Sequence, residues 1–362
     1  MTPRAPAAAR ADRAATAARG LRGAVRPLAR PARRALWRLR VERDARRART
    51  ATADLALFHD FRPAPAGGAS QSLRAVVDEL RRRGVRVELN TLPPSARACL
   101  FNSFNFDFER LELLARRAEG TRMVHRVGAV TSLYRGFDDG TDARVAAINR
   151  RLADATLAIS HATIRMYREL GIELVDPHVV YNGCDDRIFN SAGRVRWSRG
   201  RRTRVIATSW SDNPNKGAPV YRWLEDRLDW SRYELTFVGN TAVAFRKIRH
   251  LPPVASTELA GLLREHDVYL TATRHDAYSN ALVEALSCGL PAIYLDSGGS
   301  REAVKDAGFG FAEPEEIPAL LDRLVDEYEE RQAAISLPSL AEVADGYLEL
   351  LGLHEFVGSR AA

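Results

Sequence analysis

Short apolar runs alternate with amphipathic segments over most of the chain from residue 51 onward. The mostly apolar run Ala53–Phe58 has the length of a buried strand, and Ser70–Arg83 has helical periodicity. The apolar positions of that helix follow the i, i+3, i+4, i+7 spacing: Leu73, Val76, Val77 and Leu80. Gly84 ends the helix, and Val85–Leu89 is the second predicted strand. A strand, a helix and a strand in this order predict a parallel sheet with a right-handed crossover.

The same alternation continues through the rest of the chain. Further strands are predicted at Cys99–Phe101, Arg122–His125, Ala155–Ile159, Thr203–Thr208, Tyr233–Val238 and Asp267–Ala272. Further helices are predicted at Thr141–Leu152, His161–Leu170, Thr257–Glu265, Glu313–Ala334 and Leu340–Phe356. At 362 residues the chain is long enough for two domains. The pattern predicts α/β domains at 51–190 and 203–335, an Arg-, Gly- and Ser-rich linker at 191–202, a C-terminal segment at 336–362 and a tail at 1–50.

Charge is distributed unevenly and changes the interpretation of the tail. Residues 1–50 hold fifteen Arg against Asp12, Glu42 and Asp44, a net of +12, so the overall +8 leaves −4 for the remainder. Residues 1–30 are rich in Ala, Arg and Pro and are expected to be largely disordered. A helix is expected from about Ala32 to Arg49.

Three roles for this basic tail remain open. It could lie on an anionic membrane face with Trp37 and Leu39 at the interface, touch nucleic acid, or be a solvated extension. Nucleic acid is not expected as a partner of the body, because residues 51–362 are net negative. The tail lacks the apolar region of a secretory signal, and no run reaches the roughly 20 apolar residues of a membrane span.

The three cysteines are far apart, at Cys99, Cys184 and Cys288. They form neither a disulfide framework nor a metal-binding spacing, so the reducing cytoplasm is the expected compartment. If the tail binds lipid, the location becomes peripheral on the inner face of the plasma membrane. Neither a metal nor a cofactor is expected, since no cluster of metal ligands stands out.

The stretch 273–302 carries the densest set of candidate functional residues. Asp276 lies in a loop, and Glu284 lies eight positions later inside a helix that is predicted to start near Asn280. Ser279 is the expected N-cap of that helix. The free N–H groups of Asn280, Ala281 and Leu282 would then form an anion site, helped by the helix dipole.

This stretch resembles the signature of the family 4 glycosyltransferases, which are retaining enzymes of the two-domain GT-B fold. The resemblance implies two Rossmann-like domains whose parallel sheets face each other across a cleft, and a C-terminal helix that crosses back onto the first domain. Their Glu-x7-Glu motif corresponds to Asp276-x7-Glu284, with Asp in place of the first Glu. The motifs A-x-x-x-G-x-P and G-G-x-x-E follow as Ala285, Gly289, Pro291, Gly298, Gly299 and Glu302. The resemblance implies that Asp276 contacts the transferred sugar and that Glu284 binds the donor ribose.

Other segments extend the resemblance. Lys216 precedes a predicted helix, where the family places a diphosphate-binding Lys, but Ser211 stands where an Arg is usual. Gly239 ends a strand and would let a ligand approach the backbone closely. The family's segment between the domains, N-G-x-D-x-x-x-F, corresponds to Asn182, Gly183, Asp185 and Phe189.

Two loops of the first domain are expected to face the cleft. Gly67 and Gly68 follow the first strand, where the family carries a Gly-Gly loop. His125, Arg126, Tyr134 and Arg135 are placed in a second loop that suits an anionic or hydroxyl-rich acceptor. The neighbouring Asp138–Asp139, flanked by Gly136 and Gly140, is expected to form a turn rather than a metal pair.

The resemblance implies transfer of a sugar from a nucleoside-diphosphate sugar to an acceptor hydroxyl, with retention at the anomeric carbon. A glycan or a lipid-linked molecule is the expected acceptor, in cell-surface polysaccharide or glycoconjugate synthesis. Lys216, Asp276 and Glu284 are the expected catalytic set. Two alternatives remain, namely a non-catalytic subunit that binds nucleotide or carbohydrate, and a nucleotide-sugar epimerase on the same fold.

Overall fold

The computed structural model of the chain describes residues 30–48, 51–61 and 68–361. The chain divides into two compact units between residues 47 and 48. The first contains helix α1, Arg30–Ala48, close to the prediction. Of the segment that was expected to be disordered, residues 1–30, only Arg30 is described. Leu36 and Leu39 of α1 are exposed, and among the described residues no helix has the length and apolar character needed to cross a bilayer.

The second unit contains two six-stranded sheets in which all neighbouring strands are parallel. The first sheet has the order β2-β1-β3-β4-β5-β6. Its strands are β1 Leu55–Phe58, β2 Val87–Leu89, β3 Ala98–Asn102, β4 Arg122–Val127, β5 Ala155–Ala158 and β6 Pro177–Val179. Its helices are α2 Gly68–Arg82, α3 Phe108–Ala115, α4 Thr131–Arg135, α5 Thr141–Leu152 and α6 His161–Glu169. The central strands are buried on both faces, which accounts for their continuous apolar runs.

The second sheet has the order β12-β11-β10-β7-β8-β9. Its strands are β7 Thr203–Ser209, β8 Tyr233–Gly239, β9 Arg249–Leu251, β10 Val268–Thr271, β11 Ala292–Leu295 and β12 Gly308–Phe311. Its helices are α7 Ala218–Glu225, α8 Ser256–Glu265, α9 Asn280–Ser287, α10 Ser300–Val304, α11 Ile317–Asp326 and α12 Tyr328–Ala333, with 3-10 turns at Pro214–Lys216 and Pro314–Glu316. Two switch points result, between β1 and β3 and between β7 and β10, where such sheets bind ligands.

The C-terminal segment returns to the first sheet. It forms α13 Leu340–Leu350 and α14 His354–Ala361 instead of one predicted helix, because Gly352 adopts a left-handed φ of 67° between them. Arg83 of the first domain donates to the Asp345 carboxylate at 2.5 Å and to the Ala341 carbonyl at 2.9 Å. This contact confirms the predicted crossing of the C-terminal helix onto the first domain.

Candidate functional site

A cavity of about 630 Å³ lies where the carboxyl ends of the two sheets face each other. Each switch point contributes residues that directly follow or end a strand. These are Asn102 and Ser103 from β3, Ser209 and Trp210 from β7, Asn240 from β8, and Thr271 and Thr273 from β10. The cavity therefore occupies the position where open α/β sheets hold ligands.

Helix α9 begins at the wall of this cavity. Its first intrahelical hydrogen bond runs from the Val283 N–H to the Ser279 carbonyl at 3.0 Å, so the N–H groups of residues 280–282 precede the helical ladder. Ser279 is the N-cap residue with extended backbone, but its hydroxyl makes no capping bond, so that part of the prediction is wrong. The buried Oδ1 atom of Asn280 has no hydrogen-bond partner among the described residues. The helix start thus presents N–H groups and an unsatisfied amide oxygen.

Lys216 and Asp276 form an ion pair in the same cavity. The Lys216 Nζ lies 3.2 Å from Asp276 Oδ2 and 5.1 Å from the centre of the Tyr134 ring. Burial opposes the charge on Lys216, but the carboxylate of Asp276 more than offsets that cost, and the pKa of Lys216 is raised. The structure therefore joins two candidate residues that lie sixty positions apart, and the raised pKa keeps Lys216 a cation at neutral pH.

The loop that carries Asp276 is supported by the Gly298–Gly299 turn. A Cβ on Gly298 would lie 2.1 Å from the Asp276 carbonyl oxygen, and one on Gly299 would lie 1.8 Å from that of Ala277. The Gly299 N–H donates to the Asp276 carbonyl at 2.8 Å. Only glycine allows this approach of two backbones, so the G-G motif sets the position of the Asp276 loop.

Glu284 occupies different surroundings. It lines a smaller cavity of about 200 Å³ with Gln71, Ser72 and Arg74 of α2 and the segment 183–189. Only 6% of Glu284 is exposed, and burial raises the pKa of its carboxyl to about 8. Asn280 lines both cavities. One turn of α9 thus separates an ionised region around Lys216 from a site where Glu284 is mostly protonated at neutral pH.

The structure supplies a further reason for the glycine at position 239, namely its contact with a neighbouring strand. Its φ is 125°, and a Cβ there would lie 1.8 Å from the Ser209 carbonyl oxygen on the neighbouring strand β7. The glycine is required by contact between two strands, and the cavity wall at this point is formed by the next residue, Asn240. Gly67 lies outside the described residues, whereas Gly68 begins helix α2.

His125 and Arg126 lie within strand β4, so their placement in a loop was wrong. His125 is fully buried; its ring stacks on Phe101 at 4.4 Å, and its Nε2 hydrogen-bonds the Ser103 carbonyl at 3.1 Å. Burial lowers the pKa of His125 to about 4, which keeps it neutral. A hydrogen-bonded histidine inside a strand belongs to the core and does not reach an acceptor.

Arg126 lies at the floor of the cleft cavity, with 2% of its surface exposed. Its guanidinium donates to the amide oxygens of Asn102 and Asn182 at 2.6 Å each and to the Tyr347 hydroxyl at 2.7 Å. These bonds tie β4 to the segment between the domains and to α13. Within the described residues its partners are therefore neutral protein groups.

Arg135 and Tyr134 end the short helix α4 and line the cavity from the first domain. Arg135 pairs with Asp139 at 2.5 Å. The side-chain amides of Asn213 and Asn215 donate to the Tyr134 carbonyl at 3.1 and 2.9 Å, so the Lys216 loop is held against α4. Asp138 and Asp139 accept N–H groups of residues 140 and 141 and form the predicted turn.

The segment between the domains borders both cavities: Asn182 lines the larger one, and Gly183, Asp185 and Phe189 line the smaller one. Asn182 is buried against Arg126, and a Cβ on Gly183 would lie 3.1 Å from Val343 of α13. Asp185 pairs with Arg187 at 2.6 Å, and Phe189 is buried. Asn182 and Gly183 of this segment therefore contribute to the packing around helix α13.

Several cavity residues were not predicted from the sequence. Asn102, Ser103, Thr131, Trp210 and Tyr278 line the cavity, and the buried Thr131 Oγ1 has no partner among the described residues. Polar residues at the carboxyl ends of β3 and β7 were a usable signal, since parallel sheets bind ligands there. Across residues 30–48, 51–61 and 68–361 no group of three or more His, Cys, Asp or Glu side chains has the arrangement of a metal site.

Two parallel α/β sheets that face one cavity with their carboxyl ends, and a C-terminal helix that returns to the first, define the GT-B class of fold. The sucrose-phosphate synthase of Thermosynechococcus elongatus has a TM-score of 0.62 at 12% identity, covering 85% of this chain and 96% of that chain. The Anabaena protein HepE in complex with UDP-glucose has a TM-score of 0.57 at 15% identity, covering 85% of this chain and 98% of that chain. These likenesses establish the fold.

The sequence comparisons give one family match and one relative that extends beyond a single domain. Residues 226–329 match the family model described as Glycosyl transferases group 1. A GDP-mannose-dependent alpha-mannosyltransferase of Mycobacterium tuberculosis is 28% identical over 237 residues, which are 58% of this chain and 58% of that protein. The chain thus spans little more than half the length of this relative, and its match to the family model is confined to residues 226–329.

Proposed function

We propose that the chain is a glycosyltransferase that moves a sugar from a nucleoside-diphosphate sugar to an acceptor hydroxyl with retention at the anomeric carbon. The observation that carries the proposal is the convergence of the Lys216–Asp276 pair and the start of α9 on one cavity between two GT-B domains. The matching family model and the mannosyltransferase relative support the class of reaction.

The diphosphate is assigned to Lys216 and the N–H groups that begin α9. When the glycosidic bond breaks, negative charge grows on the leaving diphosphate, and preformed donors stabilise it without reorganisation. Ser211, in the usual position of an Arg, accepts the Asn213 N–H at 3.1 Å and shapes the Lys216 loop. Arg135 lines the same cavity from the first domain, and we assign it as the replacement for the missing guanidinium.

The two acids receive separate roles. Asp276, in the larger cavity beside Lys216, would contact the sugar and support the positive charge at its anomeric carbon. Glu284, in the smaller cavity with Gln71 and Arg74, would bind the ribose hydroxyls. Asn280 borders both cavities, and its unpartnered Oδ1 is placed to accept a hydroxyl of the donor between them.

The acceptor is assigned to the first-domain side of the cavity, near Tyr134 and Arg135. A glycan or a lipid-linked molecule remains the proposed class, in surface polysaccharide or glycoconjugate synthesis. The proposed place is the cytoplasm, or the inner face of the plasma membrane if α1 binds anionic lipid through its arginines and the exposed Leu36 and Leu39. Nucleic acid is not a proposed partner.

The test is release of nucleoside diphosphate from a panel of nucleotide sugars, with and without acceptor, followed by determination of the anomeric configuration of the product. We expect slow hydrolysis of one donor, acceleration by acceptor and a retained configuration. We also expect turnover to survive EDTA, because Lys216 and the α9 amides supply the charge that a metal would otherwise supply. Donor binding without hydrolysis or transfer would indicate a binding subunit, and epimerised donor would indicate an epimerase.

A further inference from the structure

Glu302 of α10 reaches across the cleft to the first domain. Its Oε2 accepts the His161 N–H at 2.8 Å, and its Oε1 accepts the Ala162 N–H at 2.7 Å. The carboxylate thereby occupies the start of α6, where unpaired N–H groups and the helix dipole favour negative charge. The Tyr181 hydroxyl adds a third bond at 3.3 Å, and Arg165 lies 3.6 Å away.

A second contact joins the same two elements. The hydroxyl of Ser160, the N-cap of α6, donates to the Ala277 carbonyl at 2.6 Å. Ala277 directly follows Asp276, and the Gly298–Gly299 turn packs against the backbone of both residues. The start of α6 therefore supports the Asp276 loop directly through Ser160 and indirectly through Glu302 and the turn.

We propose that Glu302 is a positioning residue that couples closure of the two domains to the placement of Asp276. This inference rests on the proposed function, since it concerns the same cavity. In the closed arrangement Glu302 and Ser160 support the backbone of the Asp276 loop. The Asp276 carboxylate then lies against Lys216. When α6 moves away, the Glu302 carboxylate loses its two N–H donors, and the Asp276 loop loses its support from the first domain.

The contact between α6 and the Asp276 loop would make catalysis, but not nucleotide binding, depend on domain closure. The start of α9 and Lys216 belong to the second domain, although the Lys216 loop also bonds the Tyr134 carbonyl of the first domain. A nucleoside diphosphate therefore keeps its contacts with the α9 N–H groups whether or not the domains are closed. Asp276 is placed for the sugar only when α6 is in contact. Donor would therefore bind first, and closure would complete the catalytic set, as in enzymes whose lids or domains close over substrate.

The experiment compares Glu302→Gln with Glu342→Gln. Glu342 is the matched control, because it also accepts a backbone N–H at a helix start, that of Ser339 at 2.8 Å, but does so within one segment. Turnover, nucleoside diphosphate affinity and the radius of gyration from X-ray scattering would be measured for both variants and the parent chain.

For Glu302→Gln we expect kcat to fall by about tenfold or more, the usual scale for a lost charge-assisted bond. Nucleoside diphosphate affinity should stay within about twofold, and the radius of gyration should increase. Glu342→Gln should retain kcat and the radius of gyration. Equal effects of the two variants, or loss of kcat only in proportion to lost nucleotide affinity, would overturn the inference.

The scattering measurement does not depend on turnover. If the parent chain binds no nucleotide and transfers no sugar, the proposed function fails, while an expanded Glu302→Gln still supports the link between domains. If the parent chain is active and Glu302→Gln matches it in kcat and radius of gyration, the positioning role fails and the glycosyltransferase proposal stands.

Discussion

The two ends of the stretch 276–284 differ in charge and in solvent access. Asp276 is paired with Lys216 and faces a cavity of about 630 Å³. Glu284 is 6% exposed, faces a cavity of about 200 Å³ and has its pKa raised to about 8 by burial. The first environment holds a contact ion pair, with 3.2 Å between the Lys216 Nζ and an Asp276 carboxylate oxygen, whereas the second favours a neutral carboxyl. Two acids that look equivalent in sequence thus have different chemistry.

The largest effect is expected at the ionised end. In Lys216→Ala the diphosphate loses its cation and Asp276 loses its partner, so kcat should fall by about 10²–10³, the range found when one preorganised transition-state donor is removed. Nucleoside diphosphate binding should weaken as well. Lys247→Ala, at the exposed Lys247, is the control and should leave both quantities unchanged. An active Lys216→Ala would mean that the diphosphate lies elsewhere.

Asp276→Asn should produce the next largest effect and should separate catalysis from binding. The amide keeps the shape but not the charge, so we expect kcat to fall by about ten- to a hundredfold, equivalent to about 1.5–3 kcal/mol for a charged hydrogen bond. Nucleoside diphosphate affinity, measured by calorimetry, should change little, because the sugar is absent from that ligand. Loss of that affinity in Asp276→Asn, with Glu284→Gln unaffected, would reverse the orientation of the donor.

Glu284 should make stability depend on pH in a direction opposite to that of a salt-bridged acid. Its pKa is about 8 in the folded chain against an ordinary value of 4.5, so between these values the folded state holds a proton that the unfolded state releases. The free energy of unfolding should therefore fall as pH rises through this window, by up to about 1.4 kcal/mol per pH unit from this residue. Chemical unfolding at pH 5 and pH 8 should show a smaller decrease in the free energy of unfolding for Glu284→Gln than for the parent chain. An identical decrease in both would contradict a buried Glu284 that holds a proton.

The smallest effect is expected for donor affinity in Glu284→Gln at neutral pH. Because the carboxyl is mostly protonated there, the Gln amide replaces one neutral donor and acceptor by another, so the loss should be at most the roughly 1 kcal/mol of a neutral hydrogen bond. Intact donor and bare nucleoside diphosphate should weaken equally, since both carry the ribose. Calorimetry with each ligand tests this, and a deficit confined to the intact donor would place Glu284 at the sugar instead.

Much of this architecture was predictable because apolar runs and helical periodicity directly report burial. The edge strands β6 and β9 escaped prediction since they are short and largely exposed, with no apolar run to mark them. The Glu313–Ala334 segment, predicted as one helix, begins with a 3-10 turn and is interrupted at Glu327.

The candidate site was predictable as a set of residues but not as an arrangement. Lys216, Asp276 and Glu284 stood out because they match motif positions of the family 4 glycosyltransferases near predicted helix starts. Their division between two cavities depends on contacts between domains, which sequence spacing does not encode. The prediction for His125 was wrong for a related reason. A polar residue that is hydrogen-bonded inside a strand has the same sequence pattern as a polar residue that follows the end of a strand.

The return of α13 to the first domain has a consequence for folding on the ribosome. Arg83 and Arg126 of the first domain find partners in Asp345 and Tyr347, about 220–260 residues later in the chain. At about 5–20 residues per second, the wait between synthesis of the first sheet and of α13 lasts roughly ten to thirty seconds. During that interval the face of α2 that receives α13 is uncovered, so truncated products and stalled chains should be preferred clients of chaperones.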